Sequence, residues 1–241
     1  MKVVIIGGSG PIGARTTRLL RQAGHEVAST GNAPGPALAG AQVVVDMTDA
    51  ASCRDAAALE AFAAAQRALL AAEAAAGIGH HVALSVAGTE RPRQGSGTRG
   101  RMTQERLIHA SGLPYTLIHS TQLFEFLGGI ARSAAAGAIL RLPPAAVQPI
   151  APDDVAAFVA RIALGAPLND TIEIAGPERL RLSELVARYL RATEDPRAVV
   201  SDIHARWPGT ASDDRPPVPN SAPRLGMTRF EAWFHRARAR A

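Results

Sequence analysis

The sequence predicts an α/β protein built on a doubly wound parallel sheet, and three observations predict it. Short β-branched runs alternate with apolar-striped helical stretches up to His119, the order expected of strands joined by crossover helices. The runs Val3–Ile6 and Gln42–Asp46 are apolar at almost every position, as in strands buried on both faces. A glycine-spaced turn, Gly7-x-x-Gly10-x-x-Gly13, stands directly between the first strand and the first helix.

Each element follows from local chemistry. After the glycine turn, Ile12, Thr16, Leu19, Leu20 and Ala23 form one helical stripe, with Gly24 as the stop. His25–Ser29 is a second strand. Gly31–Gly40 is rich in glycine and proline and reads as a loop with no strand of the main sheet. Ser52 and Asp55 have capping-box spacing ahead of a long alanine-rich helix that reaches Ala76, and Gly77 ends it. The strand His81–Val86, a polar loop Gly88–Gly100, the helix Met102–Ala110 and the strand Tyr115–His119 complete the regular part. A helix Phe124–Ala135 and short strands Ile139–Leu142 and Val147–Ile150 come next. Asp153 and Asp154 are expected to cap a helix Val155–Leu164. Thr171–Ala175, Ser183–Ala192 and Ala198–Ile203 read as strand, helix and strand. Trp207–Arg224 holds five prolines and reads as an extended wrapping segment before a terminal helix from Thr228.

At 241 residues the chain is long enough for one large domain, expected over 1–241, with 124–241 forming a small substrate lobe and the wrapping segment. Cys53 is the only cysteine, which excludes an intramolecular disulfide and a cysteine-built metal site. Ala56–Ala76 is interrupted by Glu60, Gln66, Arg67 and Glu73, and MKVVIIGGSG is too brief a run for a secretory signal, so a cytoplasmic protein is expected. The formal charge of +5 comes from scattered arginines without interleaved aromatics, a pattern that argues against nucleic acid. Expected partners are a small-molecule substrate and neither nucleic acid nor membrane, with a homodimer left open. Adjacent His80 and His81 face opposite ways on a strand, a poor metal arrangement, and no metal site is expected.

The glycine turn carries the strongest chemical signal. Its first glycine permits a tight turn, its second lets a phosphate approach the backbone, and its third packs helix against sheet. Exposed N–H groups at the helix start then favour a pyrophosphate.

The stretches VVIIGGSGPIG (3–13), LLAAEAAAGIGHHVALSVAG (69–88), TQERLIHASGLPYTLIHSTQLFEFLGG (103–129) and LPPAAVQPIAPDDVAAFV (142–159) add much to this signal. With IEIAGPERLRLSELVARYL (172–190) and RLGMTRFEAW (224–233), they make nearly the whole chain resemble the NmrA-like group of atypical short-chain dehydrogenase/reductases. The resemblance implies a Rossmann-type fold and an NAD(P)H-dependent oxidoreductase acting on a small carbonyl or quinone-like substrate. It also implies candidate cofactor-binding residues at Gly7, Gly10, Pro11, Ile12, Gly13, Arg15, Ser29 and Asp46.

Three departures from that pattern matter. Reductases of this kind pair a strand serine with a Tyr-x-x-x-Lys helix, the tyrosine donating the proton. Ser85 matches the serine, but Gly97 and Arg101 stand at the tyrosine and lysine positions. Lys2 is the only lysine, and His119 and Thr193 follow four residues after Tyr115 and Tyr189, the two tyrosines, so the motif exists nowhere in the chain. The second departure is a missing strand–helix unit: Thr30–Ala41 is too short for a crossover. Third, relatives often carry arginine where His119 stands.

By elimination, the candidate catalytic residues are Ser85 to orient substrate, His119 or His204 to move a proton, and Arg101 to stabilise negative charge. Asp202 shares a face with His204 in an extended strand. The absence of a carboxylate after the second strand, with Arg15 one turn into the first helix, favours NADP(H) over NAD(H). A non-redox enzyme (cyclase, dehydratase or isomerase) on the same fold, and a dinucleotide sensor without turnover, remain alternatives.

Overall fold

The computed structural model describes residues 1–31, 35–50, 53, 55–87, 96–133, 135–207, 219 and 222–239. Two compact units divide the chain: Met1–Ser120 with Pro152–Glu173, and Thr121–Ala151 with Ile174–Ala241. The chain begins with β1 (Lys2–Ile6), α1 (Pro11–Gln22), β2 (Glu26–Thr30) and β3 (Val43–Asp46). It continues through α2 (Ala56–Ala76), β4 (His80–Val86), α3 (Ser96–Ala110) and β5 (Tyr115–Ser120). Next come α4 (Leu127–Ser133), β6 (Ala135–Ala136), β7 (Ile139–Leu142), β8 (Ala146–Val147) and α5 (Pro152–Ala163). The last elements are β9 (Asp170–Ala175), β10 (Leu180–Arg181), α6 (Leu182–Ala192), β11 (Ala198–Ser201), β12 (Arg224–Leu225) and α7 (Phe230–Arg238).

The central sheet is parallel and seven-stranded, in the order β12-β9-β5-β4-β3-β1-β2. β1 lies inside it, paired with β2 through Ile6↔Thr30 and with β3 through Ile6↔Asp46. Its Val3, Val4, Ile5 and Ile6 are fully buried, each contributing roughly 1.5–3 kcal/mol. The path β1–α1–β2 steps one way along the sheet and β3–α2–β4–α3–β5 steps the other. Right-handed crossovers therefore put α1 and the α2–α3 pair on opposite faces. α5 packs beside α1 and over β3, β4 and β5.

Between β2 and β3 the described residues hold one 3₁₀ turn, Gly35–Leu38, and no strand. Leu38 and Ala41 pack there with Val4, Ile6, Val44, Leu69 and Ile78, so the short segment closes one end of the core. With no further crossover, β2 is the edge strand. Arg21 folds back and donates from Nη2 to Val27 O at 3.0 Å, covering part of that edge.

Several expected boundaries move. Asp55 itself caps α2, its Oδ1 accepting from Ala58 N at 2.7 Å, whereas Ser52 lies outside the described residues. Gly77 adopts φ +69° and closes the helix. α3 begins at Ser96, inside the stretch expected as loop, and its Gly100 fits against Ala50 and Cys53; a Cβ there would stand 2.6 Å from Ala50 O. Asp153 and Asp154 lie in the first turn of α5 and not at its cap, since Pro152 takes the first helical position. Their charges still favour that helix end. The expected helix from Phe124 is a 3₁₀ turn, Phe124–Phe126, followed by the shorter α4. Phe124 N bonds Ile150 O, and Leu123 bridges Ile150, which holds the segment extended just before the turn. The strand expected at Val147–Ile150 shrinks to β8 and that bridge; Pro149 has no N–H to extend it.

The second unit has its own core of Phe124, Leu140, Leu142, Leu182, Leu185 and Phe230, against which Trp233 and Phe234 of α7 pack. Of the proline-rich wrapping segment, 208–218 and 220–221 lie outside the described residues.

Candidate active site

The glycine turn leaves β1 and enters α1. Gly7 has φ +71°, and a Cβ on it would stand 2.6 Å from Met47 O. A Cβ on Gly8 would overlap Ser29 Oγ, and one on Gly13 would stand 2.5 Å from Gly8 Cα. Gly7 and Gly13, whose Cβ atoms would meet backbone, are therefore demanded by the fold itself. Gly10 is different. Its φ of −72° and ψ of 166° suit any residue, and a Cβ would meet nothing nearer than Gly7 O at 4.0 Å. Pro11 opens α1, no side chain caps it, and its first amides face the turn.

Register sets the second cluster. β4 and β5 pair with Ser85 opposite His119. From α3, Glu105 reaches both: Ser85 Oγ donates to Glu105 Oε1 at 2.5 Å, and His119 Nε2 lies 3.0 Å from the same oxygen. Ser85 and His119 are buried, and the Glu105 side chain is 13% exposed. One turn earlier on α3, Arg101 lies 4.0 Å from Asp49. Burial lowers the Arg101 pKa, opposed by the charges of Asp49 and Glu105.

The sequence singled out Ser85 and His119, and the structure brings them together. Glu105 was missed, although it stands four residues after Arg101, one helical turn along the same face. Asp46, fully buried at the end of β3, is committed within the protein: Oδ1 accepts from Thr48 N and Oγ1 at 2.8 and 2.5 Å, and Oδ2 accepts from Gln104 Nε2 at 2.9 Å. It thus pins α3 to the loop after β3. Arg15 Nε pairs with Asp153 at 2.6 Å, so it leans toward α5 and not toward β2. Ser29 lies beside the glycine turn. His204 belongs to the other compact unit and is exposed. Asp202 accepts from His204 N at 2.8 Å in a turn after β11 and does not share a strand face with it, because β11 ends at Ser201.

The remaining histidines of β4, Cys53 and the first aromatics after β5 lie outside this cluster. His80 Nε2 bonds Thr116 Oγ1 at 2.9 Å, and His81 Nδ1 bonds Glu73 Oε2 at 2.8 Å, the two rings taking separate partners. Cys53 is buried, Phe124 is in the core, and Phe126 is 60% exposed. Among the described residues, no helix is long and apolar enough to cross a membrane.

No protein-family model matches the chain, and no curated protein matches it. Solved structures share its fold. A short-chain dehydrogenase/reductase superfamily protein from Agrobacterium tumefaciens with bound NAD is 14% identical over 99% of this chain and 96% of that one, with a TM-score of 0.71. An NAD-dependent NDP-hexosamine 5,6-dehydratase of tunicamycin biosynthesis is 15% identical over 92% and 88%, with a TM-score of 0.66. An NADPH-dependent quinone oxidoreductase from Escherichia coli is 16% identical over 83% and 78%, with a TM-score of 0.64. At these identities the likeness is one of fold.

Proposed function

We propose that this chain is an atypical, NmrA-like short-chain dehydrogenase/reductase that works with NADP(H) on a small carbonyl or quinone-like acceptor. Gly10 carries the reading. Neither its backbone angles nor its surroundings require glycine, so the space over it serves something outside the chain. At an uncapped helix start beside a parallel sheet, a pyrophosphate fits that space. The fold neighbours with NAD, or described as NADPH-dependent, support the same class of ligand.

A bound reduced nicotinamide supplies a hydride to the acceptor carbon. The chain's own residues handle the proton. Imidazolium His119 gives a proton to the carbonyl oxygen, leaving an alcohol and neutral imidazole, which regains its proton from water. Ser85 Oγ–H donates a hydrogen bond to Glu105, and its oxygen can accept from the hydroxyl that forms, orienting it. Arg101 stabilises negative charge without shuttling protons. The NADP(H) preference rests on the end of β2, where Ser29, Thr30 and Gly31 offer no carboxylate to the ribose hydroxyls. Arg15, which the sequence offers for a 2′-phosphate, is paired with Asp153 at 2.6 Å.

The Glu105–His119 pair favours a second reading: a base that takes a proton from a carbon acid, as in isomerisation or dehydration, with no net oxidation of cofactor. Titration with NADPH and NADH, followed by turnover with model quinones, separates the two. Binding with NADPH oxidation supports the reductase; binding without oxidation supports the second reading; no binding rejects both. Gly10→Ala should keep the wild-type Tm within about 2 °C while weakening dinucleotide binding tenfold or more, about 1.4 kcal/mol. Unchanged affinity would reject the role given to Gly10.

A further inference from the structure

We infer that Glu105 is the positioning residue of this site, holding Ser85 and His119 as one hydrogen-bonded unit through a single carboxylate oxygen. The inference rests on the function proposed above and gives Glu105 a positioning role that the reductase reading left unstated.

The geometry demands a reason for a carboxylate at this place. Burying a charge costs free energy unless strong hydrogen bonds compensate it. Glu105 receives that compensation from two donors on one oxygen, at 2.5 Å from Ser85 Oγ and 3.0 Å from His119 Nε2. Holding α3 to the sheet does not explain it, because the preceding residue, Gln104, already does so through Asp46 at 2.9 Å. Both Glu105 partners carry exchangeable protons, and both stand at paired register positions on adjacent strands.

The consequence is chemical. With Nε2–H donated to Glu105, neutral His119 is held as the Nε2–H tautomer, and the ring gives and takes its second proton at Nδ1. In a reductive step, where a bound reduced dinucleotide would supply the hydride to carbon, His119 would pass the Nδ1 proton to oxygen and keep Nε2–H on Glu105. Other charges in this neighbourhood are Arg101 on the same helix, Asp49 beside it and Asp46 at the end of β3. Of these, Asp46 is already bonded to Thr48 and Gln104.

Glu105→Gln, His119→Gln and the double variant test this with NADPH and menadione as model acceptor. Glu105→Gln should lower kcat tenfold or more, leave KM and the NADPH Kd within about twofold, and add no further loss in the His119→Gln background. Independent losses in the double variant, or full activity of Glu105→Gln, would overturn the inference while leaving the proposed function standing. A readout without substrate keeps the two separable: ¹⁵N NMR of His119 should give the Nε2–H tautomer in the wild type and a mixture in Glu105→Ala. Nδ1–H in the wild type would overturn the inference by itself. Should Glu105→Gln fail to fold, Ser85→Ala serves in its place: it deletes one of the two donors, and Nε2–H must persist on His119. Failure of the wild type to bind NADPH overturns the functional reading, and the spectrum still decides Glu105.

Discussion

At the scale of single residues, the four glycines of the first turn do two different jobs. Gly7 supplies a left-handed φ, and Gly13 lets α1 close on Gly8, so both belong to folding. Gly13→Ala forces a Cβ to within 2.5 Å of Gly8 Cα, and overpacking of that order should cost about 1–3 kcal/mol. Thermal unfolding should show the loss, in contrast to Gly10→Ala, and a Tm equal to wild type would contradict the close packing. His119 and Ser85 are legible in the sequence as polar residues at strand ends. Glu105 is legible only as a helical neighbour of Arg101, since nothing in its own surroundings in the sequence marks it.

At the scale of elements, β4 begins with two histidines that respond to pH in opposite senses. Burial lowers the pKa of His80 below 6.5, opposed by the backbone at Gly165 and assisted by the charge of His81. For His81, burial again opposes the proton, but the hydrogen bond and charge of Glu73, with the charge of Asp46, outweigh it and raise the pKa. The signs follow. His81 contributes stability that is fully present below 6.5 and lost as pH rises through its folded value. His80 stays neutral in the fold, so stability is lost as pH falls below 6.5 and the unfolded chain takes the proton. Glu73→Gln removes the charge that favours protonated His81, so both buried rings then resist acid. Its unfolding free energy should drop more steeply than that of the wild type between pH 7.5 and 5.5, by about 1–3 kcal/mol. Urea titrations at the two pH values measure it; parallel slopes would show that Glu73 does not govern His81.

At the scale of the whole molecule, the missing crossover leaves β2 as an edge strand. An unpaired edge invites strand addition from a second copy, and folded proteins cover such edges with charge. Arg21 does this here through its bond to Val27 O. Arg21→Ala should therefore increase concentration-dependent association, read by sedimentation velocity, and an unchanged distribution would remove Arg21 from this role.

The sequence by itself determined the strand–helix alternation, the burial of β1, the glycine turn, the lost crossover and the absence of any Tyr-x-x-x-Lys. All of these are properties of chain order or of local period, which neighbouring residues alone express. Tertiary structure decided who meets whom. The β4–β5 register put Ser85 opposite His119, and the docking of α3 brought Glu105 to both. The packing of α5 on α1 drew Arg15 to Asp153, and the loop after β3 consumed Asp46. Each is a contact between residues far apart in the chain, set by which elements lie side by side, and local sequence carries no record of it.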